Sequence, residues 1–244
     1  MVSLQRWGSA QEYEIGYWER QAQAIADGAM SQLEWYRWRA EQLGERLRAL
    51  DLGHLADGSA RVIEVGSGPV GVASFFPARR RVAVDPLADR YARLPGLTAL
   101  RSPEVTYLKG VGEELPAETG GFDIALIENC IDHVRDIDAV MRELHRVLRP
   151  SGILYLTVNC RTRWGYLMHR TLSRLNVDRG HPHTFTPDRA RRLLTHRAFE
   201  LLWFETGSPH EARREDLSSP DPKTRLKGVL GVSEFVASAV ARRR

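Results

Sequence analysis

Cysteine is nearly absent: Cys130 and Cys160 are the two in 244 residues. That excludes a disulfide framework, and no Cys/His spacing forms a zinc site. No run of 18 consecutive apolar residues occurs, so no membrane span is expected. The amino terminus, MVSLQRWGSAQEYEIGYWER, is polar and aromatic and lacks the apolar core of a signal peptide. These absences predict a cytoplasmic protein without a membrane partner. Lysine is scarce beside arginine, yet 35 basic residues are interspersed with 31 acidic ones, for a formal charge of +4. The basic clusters are short and scattered: Arg79 to Arg81, Arg189 with Arg191 and Arg192, and Arg242 to Arg244. Without a basic stripe, a nucleic-acid substrate is not expected. The 43% apolar and 27% charged residues suit a globular chain with ample core.

What is present centres on Glu64 to Gly71, EVGSGPVG. It follows Arg61-Val62-Ile63 and precedes Val72-Ala73-Ser74, where a short buried strand is expected to turn into a helix. Gly66, Gly68 and Gly71 are spaced G-x-G-x-x-G. Glycines permit a sharp turn and close approach of a ligand, and the following helix would offer free N–H groups. The loop predicts a nucleotide-like cofactor. Asp85 ends the next apolar run, Arg81 to Val84, and an acid there accepts the hydroxyls of an adenosine ribose. NAD and S-adenosylmethionine (SAM) both carry that ribose. Glu64 separates them: a carboxylate at the strand tip repels a pyrophosphate and attracts the ammonium and sulfonium of SAM. Pro69 stiffens the loop without removing a glycine.

From Arg61 the pattern alternates. Short β-branched runs at 61–65, 81–85, 104–108, 122–127 and 152–158 are separated by helical segments near 70–76, 87–94 and 136–147. This predicts an α/β, doubly wound, mostly parallel sheet. Ile137, Val140, Met141, Leu144, Val147 and Leu148 follow helical spacing, and Pro150-Ser151-Gly152 stops that helix. Residues 1–52 predict an N-terminal helical cap with breaks near Gly28 and Gly44, and residues 53–244 the cofactor domain, joined by a linker over Asp51 to Ser59. The cap holds Trp7, Tyr13, Tyr17, Trp18, Trp35, Tyr36 and Trp38. It reads either as a layer packed on the sheet or as a lid whose aromatics wall a substrate pocket, and the two are compatible. Further on, a helix is expected over Thr162 to Leu175, an irregular stretch over Asp178 to Phe185, and a helix from Thr186-Pro187. A strand follows over Phe199 to Glu205, then a proline-bearing loop over Gly207 to Lys223. Val232 to Val240 reads as a last strand, with a helix over Ser233 to Ala241 as the alternative.

Together with the glycine loop, four further segments occur in a telling order: Val105 to Leu108, Gly110 to Pro116, Phe122 to Ile127 and Leu148 to Leu154. In these the chain resembles the class I SAM-dependent methyltransferases. The resemblance implies a seven-stranded Rossmann-like sheet, SAM as cofactor, and a last strand pairing antiparallel inside the sheet. It places Glu64, Gly66 and Gly68 at the methionine half of SAM, with Ser67 a hydroxyl donor, and Asp85, backed by Pro86, at the ribose. Gly112 and Glu113 (or Glu114) would lie beside the adenine, and Glu128 or Asn129 near the sulfonium.

Methyl transfer needs a nucleophile about 3 Å from the methyl carbon and, for a hydroxyl, a base. Histidine suits that task. His133 lies just past the fourth strand, and His181 and His183 alternate in the later loop, so His133 or the His181/His183 pair is the candidate base. Asn129, Asp132 and His133 fall at i, i+3 and i+4, similar to an acidic cluster in quinone-pathway O-methyltransferases that holds a divalent cation. Asparagine replaces the first acid, and no metal is assigned. The expected activity is methylation of a small molecule at a hydroxyl oxygen. The alternatives are an NAD(P)-dependent oxidoreductase, a non-catalytic SAM-binding protein, and an RNA methyltransferase.

Overall fold

The short aliphatic runs become the strands of one sheet. The structure, a computed structural model, describes residues 1–26, 31–172, 181–195 and 199–244. The strands are β1 (Arg61–Val65), β2 (Arg80–Asp85), β3 (Val105–Lys109), β4 (Phe122–Glu128), β5 (Leu148–Cys160), β6 (Phe199–Thr206) and β7 (Phe235–Arg243). Their spatial order is β3-β2-β1-β4-β5-β7-β6. The first five are parallel, and β7 runs antiparallel between β5 and β6. β4 is buried at every position, which is why it reads as an unbroken apolar run rather than an alternating one. β1 pairs β2 on one side and β4 on the other, so the winding reverses between β1 and β4. A crevice opens at the carboxyl ends of those two strands.

The helices are α1 (Leu4–Ala26), α2 (Ser31–Ala49), α3 (Ala88–Tyr91), α4 (Pro95–Thr98), α5 (Ile137–Val147), α6 (Arg163–Leu172), α7 (Pro187–Thr195), α8 (Pro209–Ser218) and α9 (Pro222–Leu230). α5 matches its periodic pattern: Asp136 caps it by accepting from the N–H groups of Asp138 and Ala139, and Val140, Met141, Leu144 and Val147 are buried. α2 lays Tyr36, Ala40, Leu43 and Leu47 into an apolar cluster with Ile124, Leu126 and Tyr155 of the sheet. The cap thus shares a core with one sheet face. Among the described residues, no helix is long and apolar enough to cross a membrane.

Several expectations are corrected. Gly44 does not break α2, which runs unbroken over Ser31–Ala49 with Leu43 and Leu47 on either side of the glycine packed in the core. The helix expected at 70–76 is a single 3-10 turn, Val72–Ser74, and that at 87–94 is the one-turn α3 followed by α4. The chain enters β5 at Leu148, which pairs with Phe122, and pairing resumes at Ile153 beside Ile124. Pro150-Ser151-Gly152 is therefore a bulge within the strand, with Ser151 at φ 61°. The polar loop expected over Gly207 to Lys223 contains α8 and the start of α9. Pro209 and Pro222 are helix-starting residues behind the capping side chains of Ser208 and Asp221, not breakers. The break near Gly28, the helix end at 173–175, and Asp178 to Gly180 lie outside the described residues.

At the opposite end of the sheet from the crevice, Asp123 accepts hydrogen bonds from the Arg61 backbone and guanidinium and from Arg149. Burial alone would raise its carboxyl, but those bonds outweigh burial and hold it at about 2. Its stabilising contribution is present above about pH 4 and is lost as pH falls toward 2. Asp123→Asn is expected to cost about 2 kcal/mol at pH 7. It should also flatten the loss of stability between about pH 4 and pH 2 in urea titrations.

Candidate active site

The glycine loop is built by close contacts that leave no room for a side chain at Gly66 or Gly71. Gly66 has φ 72°, and a Cβ there would lie 1.9 Å from the Cys130 sulfur. The tip of β1 and the residue after β4 thus touch, closing the floor of the crevice. Glu64 sits behind the loop. Its Oε1 accepts from the Val72 N–H at 3.0 Å and its Oε2 from the Ala73 N–H at 2.8 Å. The free N–H groups expected after the loop are therefore taken by this carboxylate, and no phosphate cradle remains there. Burial raises the Glu64 carboxyl to about 7, against the lowering effect of the two N–H bonds.

Asp85, at the end of β2, braces the loop from the other side. Its Oδ2 accepts from the Gly68 N–H at 2.9 Å and its Oδ1 from the Leu87 N–H at 2.8 Å. Each oxygen keeps a further lone pair, which is what a ribose diol requires. Burial raises this carboxyl to about 6. Ser67 donates its hydroxyl to the Gly68 carbonyl at 3.1 Å.

At the end of β4, Glu128 accepts the Thr157 hydroxyl at 2.7 Å through Oε2, while its Oε1 is buried without a partner. Asn129 stands at φ 45° with its Oδ1 likewise unpartnered. The Cys130 thiol is pushed up by burial and by the acids around it, so it is neutral.

These residues line a cleft of about 500 Å³ roofed by the cap. Glu64, Gly66, Ser67, Gly68, Asp85, Pro86, Glu128, Asn129 and His133 all reach it. Gly112 and Glu113 do not. Gly112 packs on Val65 and Val140, and Glu113 accepts the backbone N–H groups of Arg135 and Asp136, fixing the entry to α5. His181 and His183 also stay off the lining. His183 bonds the Val134 carbonyl through Nε2 at 2.9 Å and is pushed down by burial. His181 packs against His133, the rings tilted by 57° with centroids 4.6 Å apart. Asp132, missed by the sequence reading of bases, stands between them, its Oδ1 3.9 Å from His133 Nε2 and its Oδ2 3.9 Å from His181 Nε2. The donor atoms of Asp132, His133 and His181 lie within 4.8 Å of one another, so His181, not Asn129, completes that cluster.

The cap supplies Gln11, Glu14 and Trp18 from one face of α1, with Tyr36 from α2. Trp18 and Tyr36 approach the loop at Gly68, and the Trp18 indole donates to Glu14 at 2.9 Å. The spacing of Gln11, Glu14 and Trp18, three and then four residues apart, was a legible helical signal for that face. The lining thus holds four carboxylates, on Glu14, Glu64, Asp85 and Glu128, and no lysine or arginine among the described residues. Such a wall rejects a pyrophosphate and fits a ligand bearing an ammonium and a sulfonium.

Comparison with known proteins agrees. The family described as "Methyltransferase domain" matches residues 63–156. The chain is 38% identical over 109 residues to a ubiquinone biosynthesis O-methyltransferase of Xanthomonas oryzae, covering 42% of this chain and 44% of that one. It is 28% identical over 197 residues to a malonyl-[acyl-carrier protein] O-methyltransferase of Salmonella typhimurium, covering 76% and 74%. A crystal structure from Galdieria sulphuraria, of a protein proposed to be a sarcosine dimethylglycine methyltransferase, superposes with a TM-score of 0.62 at 16% identity over 84% and 85% of the two chains. The chain spans about half the length of the first curated relatives it matches. Residues 63–156 match the methyltransferase domain family, and in sheet order, glycine loop and relatives the chain is similar to the class I SAM-dependent methyltransferases. S-adenosylmethionine is the cofactor of that class, and the residues of the cleft fit it.

Glu64 and Asp85 both have raised carboxyls, so each takes up protons on folding. In the ligand-free protein they contribute stability below about pH 4 that is lost as pH rises through 6 and 7. A ligand that needs them ionised reverses this. The affinity for S-adenosylhomocysteine (SAH) is expected to rise from about pH 5.5 to about pH 7.5 with release of protons. Calorimetry in two buffers of different ionisation enthalpy checks both.

Proposed function

We propose that this protein transfers the methyl group of SAM to a hydroxyl oxygen of a small molecule, with His133 as general base. The observation that carries the cofactor half is the carboxylate-lined, cation-free wall. His133 supports the acceptor half: of the three candidate histidines it is the one on the cleft lining, beside Asn129 and Cys130. Bound SAM supplies a methyl carbon already activated by its sulfonium. The chain's own part is to orient the acceptor and remove its proton. In this reading His133 takes the proton and the buried Asp132 carboxylate favours the resulting imidazolium. His181, on the other oxygen of Asp132, holds that carboxylate in place. We read residues 1–52 as a lid as well as a packing layer, since Trp18 and Tyr36 both join the shared core and line the cleft. The relatives named above as O-methyltransferases favour oxygen as the acceptor atom. A roofed cleft of about 500 Å³ favours a small acceptor over a macromolecule.

The test has two stages. SAH is expected to bind the wild type with micromolar affinity and NADH not at all; the reverse result overturns the reading. Once an acceptor is found by screening hydroxylated metabolites, His133→Ala should lower kcat by roughly 10²- to 10⁴-fold. SAH affinity should stay unchanged, and Asp132→Asn should fall between. Activity that survives His133→Ala but disappears after treatment with EDTA would replace the base with a cation held at Asp132, His133 and His181.

A further inference from the structure

Arg39 has no part in the site as described. It projects from α2, and its guanidinium lies 5.0 Å from the Trp35 ring centroid and 5.2 Å from that of Trp38. Its Nη1 stands 3.9 Å from Glu128 Oε2, with the two side chains only 10% and 3% exposed. At that distance the contact is an ion pair without a direct hydrogen bond. Arg39 Nε and Glu128 Oε1 are both buried and unpartnered. Glu128 lines the cleft and Arg39 does not, so Arg39 can act on a ligand only through Glu128. The other groups facing Glu128 cannot replace it. From β5 come the Thr157 hydroxyl and the Tyr155 phenol, which are neutral, and from β1 comes Glu64, which is like-charged.

We propose that Arg39 is a positioning residue whose guanidinium, fixed over Trp35 and Trp38 of α2 and 3.9 Å from Glu128, keeps Glu128 anionic in the cofactor wall. The inference rests on the SAM reading of the cleft. Burial pushes the Glu128 carboxyl up, and Arg39 and then Thr157 oppose that push. Glu64 adds repulsion from the same wall. Removing the Arg39 charge takes away the single cation that faces Glu128 among the described residues. The acid then takes up a proton, and the wall loses one of the charges that hold a cationic ligand. The tryptophan pair, on α2 with Arg39, holds the guanidinium in place.

The experiment is calorimetric titration of the full chain, as wild type, Arg39→Met and Arg39→Lys, with SAM and with SAH between about pH 6 and pH 9. Methionine is unbranched and keeps the packing between the tryptophans. Arg39→Met is expected to weaken SAM binding about tenfold or more at pH 7. Affinity should be regained as pH rises toward 9. The loss should be larger for SAM, which carries the sulfonium, than for SAH, and Arg39→Lys should restore most of it. An Arg39→Met protein with the wild-type pH profile and the wild-type ratio of SAM to SAH affinity overturns the proposal, even if its melting temperature falls. Wild type that binds neither compound overturns the SAM reading itself, a separate result that removes this proposal with it.

Discussion

The site depends on one buried carboxylate that faces the protein's own backbone. Glu64 ends a strand and, from there, holds the N–H groups of Val72 and Ala73, so the turn after the glycines cannot open. Adding a Cβ at Gly71 would bring it within 2.5 Å of Glu64 Oε2, so the tightness of this turn is set by side chain and backbone together. Asp85 does the same from the next strand, through Gly68 and Leu87. Two acids thus shape the loop before any ligand arrives. An uncompensated carboxylate in a dry wall is costly, which is why both carboxyls are raised and why a cation entering the cleft relieves them.

That cost also explains the division of labour between sheet and cap. The sheet supplies fixed acids at strand tips, where main-chain geometry places them within fractions of an ångström. The cap supplies aromatic cover through Trp18 and Tyr36, an additional acid in Glu14, and a basic group behind the wall in Arg39. Aromatic rings exclude water and so strengthen every charge interaction beneath them. Tyr36, pushed well above its usual range by burial beside Glu64 and Asp85, stays a neutral phenol and adds no further negative charge.

The core of this arrangement was legible in the sequence because it is local. A glycine loop between an aliphatic run and a turn, an acid at the end of the next run, and a periodic α5 each need only neighbouring residues to be recognised. The sequence left Val232 to Val240 between a strand and a helix, with the family resemblance favouring an antiparallel strand; the strand forms over Phe235–Arg243. What escaped was set by distant contacts. Glu113 is drawn toward the entry to α5, where its Oε1 accepts the N–H groups of Arg135 and Asp136. His181 and Asp132 are far apart in the chain and meet only when the segment of His181 and His183 lies against the residues after β4. The prolines of α8 and α9 were misjudged for a different reason. Proline both starts and stops helices, and the deciding residues, Ser208 and Asp221, sit one position earlier.

The antiparallel β7 has a consequence for how such a chain is made. It lies between β5 and β6, yet both of those strands precede it in sequence. During synthesis β6 therefore has no partner in the sheet, and the outer edge of β5 stays open until β7 emerges. For that interval the outer edge of β5 and both edges of β6 lack partners, the form of backbone most prone to pairing with another chain. The sheet closes only when a strand slides into an interior slot, so its last assembly step joins segments already made rather than extending a growing edge. Slow elongation through residues 207–234 would lengthen the vulnerable interval, and the helix pair α8 and α9 occupies most of it.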